Sequence, residues 1–275
     1  HSALPLRTAA ALCPHAIFLD GHPDRYREYS HRVHGVLMEF SPKVEMASVD
    51  EAYMDLTGTD RLLGPPLQAA HALHERMKQR TGLNCSIGIA TSRLVAKVSS
   101  DQAKPNGVLW IQPGLEAEFL ARLEVRRIPG VGKVSEQKLA QMGIRKVGDL
   151  AALDEAFLRK KFGQFGLALA GKARGMDAGS WFDGDIGDHE DAKSISHEHT
   201  FHQDTADVNQ LESTLARLAE KVARRLREQG FYGHTVHLKL RYSDFTTLTR
   251  SHTMARSTQL DHELIAESRA MFMKA

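Results

Sequence analysis

The stretch Ser48-Val49-Asp50-Glu51-Ala52-Tyr53-Met54-Asp55-Leu56-Thr57 constrains this chain more than any other. Asp50 and Glu51 stand side by side in a run that otherwise reads as strand, with Val44, Met46, Tyr53, Met54 and Leu56 around them. Acidic residues are poor strand formers, and a carboxylate taken out of water is costly unless it is paired or bound to a metal. Two facing carboxylates with no partner would push one pKa up sharply. A divalent cation removes that conflict, and hard oxygen ligands suit Mg2+ or Mn2+. The alternative is structural, because an Asp-Glu pair also makes the polar turn of a β-hairpin.

Around that stretch the periodicities alternate. Pro23-Asp24 opens a helix to about residue 40, with Tyr26, Tyr29, Val33, Val36, Leu37 and Phe40 at the spacing of a buried face. Aromatics at that period are expected in core packing rather than as a base-stacking platform. A second helix runs from Pro65 or Pro66 to Arg80, with Gly82 as its stop. Residues 83–90 predict a strand, Ser92 an N-cap, and the helix after it ends at the turn Lys104-Pro105-Asn106-Gly107. Residues 108–111 predict the next strand, so an α/β layer is expected here.

Residues 122–176 form the most basic region, and within it lies Ile128-Pro129-Gly130-Val131-Gly132-Lys133. With the helix that follows to Met142 this is a helix-hairpin-helix signature. Gly130 and Gly132 let the backbone turn tightly, so that amides at the next helix N-terminus, beside Lys133, can face a phosphate. Such contacts follow the backbone without reading sequence. The alternative is a plain loop between helices. A weaker relative follows at Phe162-Gly163-Gln164-Phe165-Gly166. The acidic, glycine-bearing stretch from Trp181 to Asp191, which includes Asp183, Asp185, Asp188 and Glu190, reads as a flexible linker.

From Lys193 the pattern becomes β-α-β-β-α. Residues 194–201 predict a strand, and Asp207 caps a long helix with Val208, Leu211, Leu215, Leu218, Val222 and Leu226 on one face. Residues 235–242 alternate strictly, Val236, Leu238 and Leu240 inward against His237, Lys239 and Arg241 outward. Residues 246–253 predict the next strand, exposing Arg250 or its neighbours. An open face of Lys, Arg, Thr and Ser could lie along phosphates, although any half-exposed sheet is polar outside.

Composition narrows the classes. With 42% hydrophobic and 25% charged residues the chain is an ordinary globular sequence, and a formal charge of +2 neither demands nor excludes nucleic acid. Two cysteines outside any C-x-x-C pattern argue for a reducing cytosol and against a disulfide framework or a zinc site. His197, His199 and His202 lack a fourth ligand in register. No apolar run approaches the roughly 20 residues of a membrane span, and the first residues do not have the shape of a signal peptide. A cytoplasmic protein without a membrane partner is expected.

Three motifs in this order, SVDEAYMDLT, SIGIATSRLVAKVSSDQAKPNGV and IPGVGK, resemble those of the Y-family translesion DNA polymerases, most closely their bacterial members. The resemblance covers essentially the whole chain. It implies an α/β (α+β) fold: an incomplete palm with a mixed sheet lacking its first strand, an all-helical thumb with the helix-hairpin-helix, and a β-α-β-β-α little finger. The implied divisions are fingers remnant 1–22, palm 23–111, thumb 112–177, acidic linker 178–192, and a C-terminally incomplete little finger 193–275. The implied activity is template-directed addition of a dNTP to a primer 3′-hydroxyl by two-metal catalysis.

In that resemblance Asp50 bridges two Mg2+ ions and Glu51 helps hold the ion at the primer end. Lys104 contacts the triphosphate with Lys97 in support, as expected where catalysis is positioning and charge neutralisation. Ser92-Arg93 stands where family members commonly have Asn-Lys, which keeps the charge. Gly130, Gly132 and Lys133 in the thumb, and Lys239 and Arg241 in the little finger, are the implied contacts to primer–template DNA. A sliding clamp is a candidate partner through parts outside these residues, and a monomer is expected. The family's first strand carries a further metal-binding Asp and, soon after, the aromatic that excludes ribonucleotides. Nothing here corresponds, so this 275-residue material is expected to be a fragment with little or no polymerase activity. The rival reading is a non-catalytic DNA-binding or accessory repair protein on the same scaffold. Two adjacent carboxylates near polyanionic DNA weigh against that rival. A helix-hairpin-helix nuclease would be expected to carry more clustered acids.

Overall fold

The computed structural model describes residues 4–179, 184–187 and 192–274. Trp181, Asp183, Asp188, Glu190 and Asp191 of the expected acidic linker lie outside the described residues. The chain divides into two compact units, His1–His189 and Glu190–Ala275.

The first unit begins with helices α1 (Leu6–Leu12) and α2 (Pro23–Leu37), then a hairpin of β1 (Val44–Met46) and β2 (Ala52–Met54). Helices α3 (Asp60–Leu63) and α4 (Pro66–Thr81) lead to β3 (Ile87–Ile89), α5 (Arg93–Gln102) and β4 (Val108–Trp110). Helices α6 (Glu116–Ala121), α7 (Lys133–Gln141), α8 (Val147–Ala151), α9 (Glu155–Phe162) and α10 (Gln164–Ala173) follow, with a 3-10 turn at Val125–Arg127. The long helices start where the sequence permits. Pro23 and Pro66 occupy first turns, where a missing N–H costs nothing. Ser92 accepts the Val95 amide at 3.2 Å to open α5.

Strand β1 pairs antiparallel with β2, Val44 opposite Met54 and Met46 opposite Ala52. Asp50 and Glu51 lie outside both strands, which corrects the reading that set them within a strand-like run. The cause is local. The Ser48 hydroxyl accepts the amides of Asp50 and Glu51 at 3.2 and 3.1 Å, and the Glu51 carbonyl accepts those of Ala47 and Ser48 at 2.9 and 3.1 Å. A serine closing a turn in this way competes successfully with a ladder. Tyr26, expected on the buried face of α2, is 52% exposed, because that face is buried only at its end, at Val36 and Leu37.

Strands β3 and β4 pair in parallel, Ile87 to Val108 and Ile89 to Trp110, with α5 as the crossover that parallel neighbours require. Helix α5 lies unusually close to β3. A Cβ on Gly88 would stand 2.0 Å from the Ala96 carbonyl oxygen and 2.4 Å from the Ser100 nitrogen. The mixed α/β character expected from the sequence is present as one antiparallel and one parallel pair. Among the described residues, hydrogen bonds do not join the two pairs into one sheet.

One continuous core runs from α5 into the helices. It joins Leu94, Val95 and Val98 to Leu120, Leu139, Val147, Leu150, Leu158 and Leu169, all 2% exposed or less. Each such side chain contributes about 1.5–3 kcal/mol by leaving water. A separate cluster of Val36, Leu37, Leu73 and Met77 packs α2 against α4 beneath the hairpin.

The second unit has α11 (Val208–Gln229), β5 (Gly233–Arg241), β6 (Thr247–Thr258) and α12 (Asp261–Phe272). Asp207 accepts the Asn209 amide at 2.9 Å to start α11. Ala219, Ala223 and Leu226 pack on Met254 and Leu264, with Ile195 and Val236 at the margin. Strands β5 and β6 are antiparallel, with Lys239 opposite Thr249 and Arg241 opposite Thr247. These residues share the outward face, as the alternation predicts. Arg250 pairs with Leu238 on the other face and is exposed, as expected of it or its neighbours. Residues 194–201, the expected first strand, make no ladder here. β5 and β6 satisfy each other, and 194–201 is held instead by Ile195 in the core and by Arg225 donating to the Ser196 carbonyl at 3.4 Å. Among the described residues no helix is long and apolar enough to cross a membrane.

Candidate active site

The hairpin turn brings its carboxylates to the exposed side of α5. Glu51 is ion-paired with Lys97, and Lys97 also lies 3.8 Å from Asp101 one turn on. Asp101 accepts from Lys104 at 2.6 Å. Asp50 accepts from the Ser48 hydroxyl at 2.7 Å. The hydrogen bond to Asp101 raises the Lys104 ammonium above the ordinary lysine range, and the negative charges of Glu51 and Asp50 add to that effect. Asp50, Glu51, Lys97 and Lys104, chosen from the sequence, thus belong to one electrostatic cluster. Sequence reasoning missed Asp101, its bridging carboxylate, although Asp101 follows Lys97 at the i,i+4 spacing of a helical ion pair.

The turn that carries Lys104 is anchored from outside, because His74 Nε2 of α4 lies 3.0 Å from Asn106 Oδ1. Arg93, the positive charge expected in the lysine motif, is turned inward. It is 8% exposed, donates to Glu45 of β1 at 2.6 Å, and its guanidinium stands 5.6 Å from the Tyr53 ring centroid. Burial, then the negative charge of Glu51, pushes the Tyr53 phenol up to about 12. A buried arginine paired with a half-buried glutamate is a fixed joint rather than a ligand.

The donor set suits one metal chemistry in particular. Mg2+ keeps several waters and is commonly held by one or two carboxylates together with substrate phosphates. Two exposed carboxylates flanked by lysines match that mode. Among the described residues, no group of three His, Cys, Asp or Glu side chains is placed to hold a metal.

The helix-hairpin-helix lies in the same unit. Gly130 adopts φ +94°, and α7 starts after Gly132 with no side-chain cap, which leaves its first amides to be satisfied from outside. Lys172 of α10 is buried and donates to the Pro129 carbonyl at 3.0 Å, pinning the hairpin from beneath. Burial pushes its ammonium below the ordinary lysine range, with the charge of Asp177 opposing the shift. Lys172 therefore serves the hairpin's shape, while Lys133 carries its exposed charge. Lys239 and Arg241 stand in the second unit, on the outward face of β5.

Residues 1–101 match the impB/mucB/samB family, residues 192–275 its C-terminal domain, and residues 126–177 the thumb domain of DNA polymerase iota. DNA polymerase IV of Methanoculleus marisnigri is 40% identical over 258 residues, covering 94% of this chain and 70% of that protein. The chain belongs to the DNA polymerase IV family of Y-family polymerases. DNA polymerase IV of Dehalococcoides mccartyi is 41% identical over 264 residues, and the chain spans 66% of that relative's length. Among solved structures, a Y-family DNA polymerase chimera of Dbh and Dpo4 superposes with a TM-score of 0.81 at 22% identity, covering 98% of this chain and 78% of that one. DinB from Sulfolobus solfataricus gives 0.58 at 22% identity, over 100% of this chain and 78% of its own. These likenesses establish the fold.

Proposed function

We propose that this chain carries the catalytic carboxylates, the triphosphate lysines and the duplex-holding hairpin of a template-directed, translesion-type DNA polymerase. The observation that carries this reading is the cluster itself: Glu51, Lys97, Asp101 and Lys104 in one chain of ion pairs beside Asp50. Asp50 and Glu51 would hold Mg2+, two ions in the intact enzyme. Bound there, the metal supplies charge neutralisation and a lowered pKa for the attacking hydroxyl. Lys104 and Lys97 would neutralise the triphosphate, as lysines do at phosphoryl-transfer sites. The α7 amides after Gly130 and Gly132, with Lys133, would hold a duplex phosphate, and Lys239 and Arg241 would lie along the backbone.

On this reading residues 1–22 are the end of the fingers, 23–111 palm, 112–177 thumb, 178–192 linker and 193–275 little finger. The partners are primer–template DNA and dNTPs, with a sliding clamp as a further candidate. A cytoplasmic monomer fits this set. Solved structures of similar fold include an insertion ternary complex of Dbh DNA polymerase, which supports this choice of partners.

By itself the 275-residue chain is expected to extend a primer little or not at all with Mg2+, since two carboxylates are a thin ligand set for two ions. Normal turnover in a primer-extension assay would overturn that expectation. The absence of a third metal-binding side chain near Asp50 and Glu51 among the described residues is also what favours the second reading, a non-catalytic DNA-binding protein. Duplex binding serves both readings and tests the hairpin. Lys133→Ala is expected to weaken duplex affinity for any sequence and to cut the slope of log K against log salt by about 0.9. An unchanged slope would remove Lys133 from the interface.

A further inference from the structure

Asp177 lies beyond α10, yet its carboxylate sits at the start of α5. Its Oδ2 accepts the Arg93 amide at 3.0 Å and its Oδ1 the Leu94 amide at 2.8 Å. A helix leaves four N-terminal amides without internal partners. Here two of them go to a residue more than eighty positions away, and Ser92 takes a third. The negative charge is also well placed at the positive end of the helix dipole. The neighbouring backbone makes the approach close, since a Cβ on Gly175, at φ +84°, would stand 3.4 Å from Val95 of α5 and 2.7 Å from Glu116 Cβ.

Arg93 carries the connection onward. Its backbone is held by Asp177, while its side chain grips Glu45 of β1 and covers Tyr53 of β2. Those two strands bear the turn with Asp50 and Glu51, and one turn along α5 Lys97 meets Glu51. A continuous path therefore joins the end of the helical region to the carboxylate turn: Asp177, the α5 terminus, Arg93, Glu45 and Tyr53.

We propose that Asp177 is a positioning residue for the candidate active site. It fixes where the first turn of α5 stands, and through Arg93 it fixes the register between Lys97 and the Asp50–Glu51 turn. It touches none of the reacting groups. The consequence for metal and nucleotide rests on the function proposed above, whereas the mechanical link from Asp177 to the turn does not.

The test uses the whole 275-residue chain, with amide hydrogen exchange across residues 44–54 and the affinity for Mn2+·dATP as readouts. In Asp177→Ala the Ala47, Ser48 and Glu51 amides are expected to exchange about tenfold faster, as a local opening becomes easier. Mn2+·dATP affinity is expected to fall about fivefold, within the range of coupling through positioning groups. Asp177→Asn keeps an acceptor but gives up the charge, and should fall between wild type and Asp177→Ala. If Asp177→Ala does not fold, Asp177→Asn decides: turn amides faster than wild type support the proposal, and wild-type rates overturn it. A simple helix cap predicts something else, a lower melting temperature with faster exchange at Arg93 and Leu94 alone. That pattern, with the turn and the Mn2+·dATP affinity unchanged, would sink the proposal. If Asp50→Asn and Glu51→Gln leave Mn2+·dATP affinity untouched while Asp177→Ala still loosens the turn, the positioning role stands and the metal reading fails.

Discussion

Gly88→Ala is expected to destabilise the first unit by about 3 kcal/mol or more, at the upper end of what overpacking costs. The added methyl would lie 2.0 Å from the Ala96 carbonyl, 2.4 Å from the Ser100 nitrogen and 2.4 Å from the Ser99 hydroxyl. Two of those three atoms are backbone, so no rotamer change clears the space. Relief requires α5 to move off β3. That motion would also carry Lys97 and Asp101 away from the hairpin turn and open the core at Leu94, Val95 and Val98. Urea denaturation followed by far-ultraviolet circular dichroism reads the effect as a lower midpoint. Gly35→Ala is the control: nothing lies within 4 Å of its added methyl, and in the interior of α2 it should gain a few tenths to about 1 kcal/mol. A Gly88→Ala protein with a wild-type midpoint would mean that α5 does not rest on β3 as described.

At the carboxylate turn, Glu51→Gln and Asp50→Asn are each expected to lower affinity for Mn2+·dATP at least about tenfold, a loss typical of disturbed metal sites. Lys97→Ala should act in two directions. Lys97 is the counter-ion of Glu51 in the absence of metal, so removing it frees the carboxylate and raises affinity for Mn2+ alone by about threefold, the scale of a partly exposed ion pair. The same variant should weaken binding of the triphosphate. Titration of Mn2+ with and without dATP, read by the paramagnetic signal of free Mn2+, separates the two effects. Equal shifts in both titrations would remove Lys97 from the triphosphate, and an unchanged affinity for Mn2+ alone would show that Lys97 does not hold Glu51 back from the metal.

Much of this arrangement is readable in the sequence because it is local. Ser92 as a cap, Pro66 and Gly82 as the limits of α4, and the alternation through Lys239 and Arg241 all follow from short-range stereochemistry. The Asp-Glu pair is also legible, although its strand context misled. Val44, Met46, Tyr53 and Met54 are strand residues, but the Ser48 hydroxyl takes the amides between them and makes a turn. Joints made between distant residues are not legible. Nothing near Asp177 marks it as the cap of a helix that starts at Arg93, and nothing in Ser92-Arg93 indicates that the guanidinium turns inward to Glu45. Lys172 reads as one more cation in a basic stretch until its burial under Pro129 is seen. Residues 194–201 show the converse, a strand-like pattern that joins no ladder among the described residues.

The core that begins at Leu94 and ends at Ala173 does not stop where the β-α-β layer gives way to helices. A seam of that kind packs the strand layer and the helices around shared side chains, even though the connecting residues 112–115 are exposed. The lysine-bearing helix and the glycine hairpin share that core, so they are expected to melt together.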